Sequence, residues 1–179
     1  FLIQQAAVVS VDGLVVIASQ YWGQKRMEPI RQMTGMVLKI AFCLGIFLIL
    51  LCSLFPGAIL GFFTSDTAIL SEAGSYLQII KYTFLLYLVT QVLLSSLRSV
   101  ETVRIAFVIL CISLVVNVSI NYTLIYGRFG FPELGIRGAA IGTMISRCLE
   151  FLIVFIYVIK IDKKLKLFSD KEVFHIDKL

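Results

Sequence analysis

Long apolar segments separated by short polar connections make up most of this chain. Two of the longest stretches, residues 40–65 and 105–127, contain no charged side chain. A helix needs about 20 apolar residues to cross a bilayer, whereas a membrane β-strand needs about 10 with alternating polarity. The segments lack that alternation, so the pattern predicts about five transmembrane helices. We name them segments A to E, at residues 1–22, 33–63, 76–97, 105–127 and 138–159.

The composition supports the same fold class. Hydrophobic residues make up 59% of the chain and charged residues 15%, against roughly 45–50% and about 25% in soluble domains. We therefore predict an all-α, polytopic transmembrane helix bundle in contact with membrane lipid. The sequence contains no HExxH motif, nucleophile elbow or phosphate-binding glycine loop. We accordingly predict that the protein is not an enzyme and that it binds no cofactor and no nucleic acid.

The basic residues alternate in density from one connection to the next. Cytoplasmic connections of membrane proteins are enriched in Lys and Arg, so the dense side is predicted to be cytoplasmic. This places the 23–32 loop, the 98–104 loop and the tail in the cytoplasm of a multi-pass cell-membrane protein. The dense side has Lys25, Arg26, Arg31, Arg98, Arg104, Lys160, Lys163, Lys164 and Lys166, and the other side has Arg128 and Arg137.

Three polar stretches interrupt this pattern in a fixed order. They are ASQYWGQKR at 18–26, LRSVETVR at 97–104, and NVSINYTLIYG at 117–127, the last followed by FGFPELGIRGAAIGT at 129–143. Together they resemble the multidrug and toxic compound extrusion (MATE) family of secondary transporters, over residues 1 to about 168. The family usually has glycine where Glu101 stands, and some relatives have aspartate at the position of Asn121.

The resemblance implies a larger architecture than the chain contains. Family members have twelve helices in two six-helix lobes, and segments A to E resemble the second to sixth helices of the amino-terminal lobe. Residues 161–179 would then be a cytoplasmic linker. We expect the chain to be part of a longer polypeptide, in which the missing first helix and the second lobe are partners of this one.

Polar side chains near the outer ends of segments D and E form a candidate ion site. Asn117 and Asn121 are one turn apart and share a helix face. Asn121 and Thr143 both lie about 8–9 Å from the outer ends of their helices, which places them at one depth. The resemblance implies that these three residues help to bind a coupling ion, H⁺ or Na⁺. The alternative is that they only form hydrogen bonds between helices.

A second candidate site is a group of charges deep within the apolar segments. Asp12 lies about 16 Å from the inner end of segment A, and Arg147 and Glu150 lie about 19 and 15 Å from the inner end of segment E. Arg147 and Glu150 are i,i+3 neighbours, so they can pair. We predict an intramembrane charge cluster of these three residues, with a structural ion pair as the alternative. A candidate substrate cavity involves Tyr87, Gln91 and Ser95.

Three functions fit these residues. The first is a secondary antiporter that exports organic cations, drugs or other amphipathic small molecules in exchange for H⁺ or Na⁺ by alternating access. The second is a lipid-linked oligosaccharide flippase of the same superfamily, which basic residues in the cavity would favour. The third is a membrane scaffold without transport activity, in which the polar residues only join helices.

Overall fold

The regular structure is helical throughout the part of the chain that the computed structural model describes, residues 2–62, 66–130 and 132–161. The predicted all-α bundle is confirmed, while residues 162–179 of the predicted linker lie outside the described ranges. A 3-10 turn at Arg128–Gly130 precedes the last helix, and a π-helical turn at Tyr157–Ile161 follows it. The helices are α1 (Leu2–Gly23), α2 (Met27–Leu54), α3 (Pro56–Gly61), α4 (Thr67–Ser99), α5 (Val103–Ile125) and α6 (Gly135–Ile156).

Two helices differ in extent from the predicted segments. Segment B is divided into α2 and α3, because Pro56 lacks a backbone N–H and occupies the first turn of a new helix. Segment C begins nine residues earlier than predicted, at Thr67 rather than residue 76. The residues that precede its apolar part, among them Glu72, are compatible with a helix, so hydrophobicity alone did not locate its start.

The surface of the bundle is that of a multi-pass membrane protein. Within the described ranges, four helical stretches are long and apolar enough to cross a bilayer, at Met27–Leu54, Ile69–Ser99, Val103–Ile125 and Gly135–Lys160. Large apolar side chains are exposed on the outward faces of these helices, in addition to those buried between the helices. Lipid is the solvent in which such faces are stable. Examples are Ile40, Phe47 and Leu50 on α2 and Phe107, Leu114 and Val118 on α5.

Helix α4 lies at the centre of the bundle. It packs against α1, α2 and α6, whereas α5 packs mainly on α6. The part of α4 from Val92 to Ser99 is buried apart from the half-buried Arg98, and its apolar residues belong to one core cluster with Ala18 of α1, Ile30 of α2 and Val154 of α6. The C-terminal end of α4 is therefore enclosed by protein.

Two features bring α2 and α4 close together. Gly45 lies against Leu85, and a Cβ added at Gly45 would be 2.9 Å from the Leu85 Cα, so only a glycine permits this approach. Nearer the C-terminal end of α4, the buried hydroxyls of Thr34 and Ser96 are 3.1 Å apart and form a hydrogen bond between the helices. Small residues and hydroxyl pairs of this kind stabilise helix packing in membranes.

The C-terminal ends of α1 and α4 are closed by the same backbone motif. After α4, the Glu101 N–H donates to the Arg98 carbonyl and the Thr102 N–H donates to the Leu97 carbonyl, at 3.2 and 3.0 Å. This is the Schellman arrangement, which places one residue in the left-handed region. Here that residue is Glu101, with φ 61°, and after α1 it is Lys25, with φ 58°. Glycine usually occupies such positions, as the resemblance led us to expect at 101.

Replacing Glu101 by glycine is expected to stabilise the protein. The left-handed conformation costs a non-glycine residue roughly 1–2 kcal/mol, and the greater freedom of glycine in the unfolded chain offsets about 0.4–1 kcal/mol of this. A net gain of about 0.5–1 kcal/mol should raise the melting temperature of the purified protein in detergent.

Glu133→Gly is the matched control, because Glu133 is also an exposed loop glutamate and is not among the residues with positive φ. The control should leave the melting temperature unchanged or lower it slightly. A lower melting temperature for Glu101→Gly would contradict the assignment of this cap.

Candidate functional site

The predicted asparagine pair forms on the face of α5 that packs against α6. The side-chain amide of Asn121 donates a hydrogen bond to the Asn117 side-chain oxygen at 3.1 Å. This uses one of the two N–H donors of the Asn121 amide, and the Asn121 oxygen, Oδ1, is buried without a hydrogen-bond partner. A buried acceptor left unpaired costs about 1–3 kcal/mol. The pair therefore presents one strong acceptor that the described side chains do not satisfy.

Glycines of α6 determine where this acceptor lies. Oδ1 of Asn121 is pressed against Gly142, at the place that a Cβ on residue 142 would occupy. One turn earlier, a Cβ on Gly138 would lie 2.7 Å from the backbone oxygen of Leu124. That oxygen also accepts a hydrogen bond from the Leu134 N–H at 3.0 Å. The small residues at the start of α6 thus allow its backbone to touch the C-terminal end of α5.

Thr143 follows Gly142 on α6, but neighbouring residues of a helix point in different directions. Its hydroxyl donates to the Ala139 carbonyl at 2.9 Å, so its oxygen remains available as an acceptor. Of the three predicted residues, Asn117 and Asn121 are therefore in direct contact, whereas the hydrogen bond of Thr143 is within α6. All three side chains are half-buried. A group of neutral oxygens suits a monovalent cation or a proton carrier, and no cluster of acidic, His or Cys ligands was found within the described ranges.

Two members of the predicted charge cluster are in direct contact. Arg147 donates to Oε2 of Glu150 at 2.6 Å, and the Ser113 hydroxyl donates to the same oxygen at 3.2 Å. The side chain of Glu150 is 0% exposed, whereas that of Arg147 is 30% exposed. The Arg147 guanidinium also lies 4.8 Å from the ring centre of Tyr87 on α4. Arg147 therefore joins α4 to α6, and Glu150 joins α6 to α5.

Asp12 has a different close partner from the one we predicted. It forms an ion pair with Arg98 of α4 at 3.6 Å, and Arg98 also donates to Ser95 at 2.6 Å. Asp12 still interacts electrostatically with Tyr87, as do Arg147 and Glu150. The three predicted charges therefore form two separate ion pairs, Arg147 with Glu150 and Asp12 with Arg98.

Sequence reasoning missed Arg98 because it placed this residue in a cytoplasmic loop. In the structure Arg98 lies in the last turn of α4, next to the fully buried Leu97. The only local signal was its i,i+3 spacing from Ser95, which is compatible with a hydrogen bond on one helix face. Its pairing with Asp12 depends on how α1 and α4 are staggered, and that stagger cannot be deduced from either segment alone.

The three residues of the candidate substrate cavity lie along one face of α4. Tyr87, Gln91 and Ser95 are spaced by four residues, so each is one turn from the next. Tyr87 contacts Arg147 and Ser95 contacts Arg98, whereas Gln91 lies half-buried between them. This face therefore connects the Asp12–Arg98 pair to the Arg147–Glu150 pair.

Comparison with known proteins gives consistent matches. The MatE family model matches residues 6–123. The chain is 30% identical over 160 residues to the probable multidrug resistance protein YoeA of Bacillus subtilis, which covers 89% of this chain and 35% of that protein. A solved inward-facing multidrug resistance MATE family transporter of the MOP superfamily matches with a TM-score of 0.80 at 16% identity, covering 97% of this chain and 41% of that one.

An outward-facing structure of the same description matches with a TM-score of 0.78, also at 16% identity, over 96% of this chain and 38% of that one. At this identity the two structures establish a shared fold. The chain spans 35–41% of the length of the relatives named here. The family model covers more than half of the chain, and it agrees with the resemblance seen in the polar stretches. This chain therefore belongs to the MatE family.

Proposed function

We propose that this chain is part of a secondary antiporter that exports amphipathic small molecules, such as organic cations or drugs, in exchange for H⁺ or Na⁺. The observation that carries the proposal is the unsatisfied Oδ1 of Asn121 at the buried α5–α6 interface. A purely structural asparagine pair would be expected to satisfy both oxygens, because unpaired acceptors are costly in a medium without water. A bound ion, or a proton on a neighbouring acid, would satisfy this one.

The comparisons support a lobe that moves as a unit. The chain matches an inward-facing and an outward-facing transporter almost equally well, with TM-scores of 0.80 and 0.78. A lobe that changed its internal packing between the two states would be expected to match one of them much better. Alternating access by rocking of two lobes preserves the shape of each. We therefore propose that a first helix and a second lobe, supplied elsewhere in the full protein, complete the central cavity.

The charges favour cationic or neutral cargo over a lipid-linked pyrophosphate. Arg147 and Arg98, the two bases nearest the candidate cavity face, are paired with Glu150 and Asp12. Neither is therefore left as a free positive charge for a phosphate. We also propose that membrane insertion follows the positive-inside rule, with the 23–32 and 98–104 loops and the tail in the cytoplasm of a cell-membrane protein.

The ion site is tested by replacing both asparagines. In liposomes that contain the full-length protein with this chain, a gradient of H⁺ or of Na⁺ should accelerate dye efflux. In the double variant Asn117→Ala, Asn121→Ala, this acceleration should be reduced roughly 5–150-fold, the range that typical coupling energies correspond to. Dye binding should be retained.

Ser119→Ala is the matched control for the asparagine pair, because Ser119 is a polar residue on the exposed side of the same helix. It should leave the coupling unchanged. Equal gradient-driven efflux by the wild type and the double variant would remove the asparagines from the mechanism.

Gly142→Ala tests the contact that positions Asn121. The added methyl group would occupy the place of the Asn121 side-chain oxygen, so the amide must turn away and ion coupling should fall on the order of 10-fold. Gly74→Ala is the control, since a Cβ at Gly74 meets nothing within 4 Å. Full coupling in Gly142→Ala would show that this close approach does not govern the site.

Orientation is tested with single cysteines in a background that lacks the four native ones. Gln24→Cys and Arg128→Cys are both in exposed turns. In intact cells, a membrane-impermeant maleimide should label residue 128 at once and residue 24 only after permeabilisation. The reverse pattern would contradict the proposed topology.

A further inference from the structure

Polar residues recur at successive turns along the α5–α6 interface. At the outer end Asn121 touches Gly142, and two helical turns further in Ser113 donates a hydrogen bond to Glu150. These two contacts are two turns apart on α5 and also two turns apart on α6, in opposite chain directions. The two helices therefore pack antiparallel with a single register. That register places Asn117 opposite Ser146. We call this set the polar file: Ser113, Asn117 and Asn121 on α5 with Gly142, Ser146 and Glu150 on α6.

Each end of the polar file has a buried acceptor without a partner. In the described part of the chain, the buried side-chain oxygens without a hydrogen-bond partner are Oδ1 of Asn121 and Oε1 of Glu150. The distance along α5 from the level of Asn121 to that of Ser113 is about 12 Å. Between these ends, the Ser146 hydroxyl is buried and donates to the Gly142 carbonyl at 2.8 Å. Both unsatisfied oxygens therefore belong to one interface.

The surroundings of Glu150 favour a proton over a metal cation. Its Oε2 already accepts from Arg147 and Ser113, so Oε1 is the only free carboxylate ligand. The Arg147 guanidinium, 2.6 Å from this carboxylate, opposes any added positive charge, H⁺ as well as Na⁺. The difference between the two ions is the number of ligands they need, because a single free oxygen is too few for a metal ion. A proton needs a single acceptor, and it forms one O–H bond on Oε1 while converting the carboxylate to a neutral acid. No other reactant is required.

Ionisable groups face Glu150 from the neighbouring helices. Arg147 on α6 itself is the nearest, and Tyr87 on α4 interacts electrostatically with both Glu150 and Asp12 of α1. Helix α5 faces it with the uncharged Ser113 hydroxyl. Lys160, in the π-helical turn after α6, is exposed and more than two turns along the chain. The immediate environment is therefore one carboxylate and one guanidinium in a protein interior.

We propose that Glu150 is a proton-binding site of this lobe, connected to the Asn117–Asn121 pair by the polar file. Protonation removes the charge that holds Arg147 to Glu150, while the contact between Arg147 and the Tyr87 ring remains. The proton on Glu150 therefore alters how α6 is attached to α4 and α5. The use of this proton in transport rests on the proposed antiport function, whereas the protonation itself does not.

The binding step can be tested without transport. Infrared difference spectra of the full-length protein in lipid, recorded between neutral and acidic pH, should contain the stretching band of a protonated carboxyl group in an apolar environment. Glu150→Gln should lose the contribution of one carboxyl to this band. Asp12→Asn and the exposed Glu72→Gln are matched controls, and both should keep the Glu150 contribution. An unchanged band in Glu150→Gln would overturn the proposal.

A second variant covers the case in which Glu150→Gln does not fold. Ser113→Ala removes the hydroxyl that donates to Oε2, and it must then shift the pH at which the band titrates. A band that titrates as in the wild type would overturn the proposal.

Dye efflux driven by a pH gradient distinguishes this proposal from the proposed function. Loss of the band in Glu150→Gln together with absent efflux in the wild type would retain the proton site and refute the antiport function. Efflux that requires Asn117 and Asn121 and is unaffected by Glu150→Gln, with an unchanged band, would refute the Glu150 site alone.

Discussion

A polar atom inside a lipid bilayer has no water to bind, and this constraint governs the α5–α6 interface. Most polar side chains of the described helices satisfy it locally by donating to the carbonyl one turn before, as Thr143 and Ser146 do. The oxygens Oδ1 of Asn121 and Oε1 of Glu150 do not. Since an unpaired acceptor of this kind costs about 1–3 kcal/mol, its retention at two points of one interface is best explained by a bound proton or cation.

Close helix packing makes this arrangement possible. Gly138 and Gly142 let α6 approach the backbone and side chains of α5, and the resulting register also brings Ser113 to Glu150. The asparagine pair, which is the proposed ion site, and the Arg147–Glu150 pair are therefore linked by close packing. Central helix α4 then connects them to α1, because Tyr87 contacts Arg147 while Arg98 contacts Asp12. A lobe built in this way can respond to an ion as one body.

Local spacing predicted much of this site. The i,i+4 relation of Asn117 and Asn121 and the i,i+3 relation of Arg147 and Glu150 both correspond to direct contacts, because helix geometry determines which side chains are neighbours. The apolar segments likewise predicted the membrane bundle. Contacts between helices were harder to predict from the sequence, because the stagger that brings Arg98 to Asp12 depends on packing over the whole bundle. The break before Pro56 was missed because an apolar segment can continue through a change of helix.

The most direct test of the central claim is ligand-dependent thermal stability of the full-length protein. A ligand that binds the folded state raises the melting temperature in a saturable way. We expect such a rise with increasing Na⁺ or H⁺ at constant ionic strength, and we expect it to be lost when Asn117, Asn121 and Glu150 are all replaced by isosteric neutral or apolar residues. A melting temperature that responds to neither ion, or that responds equally in the substituted protein, would contradict the account.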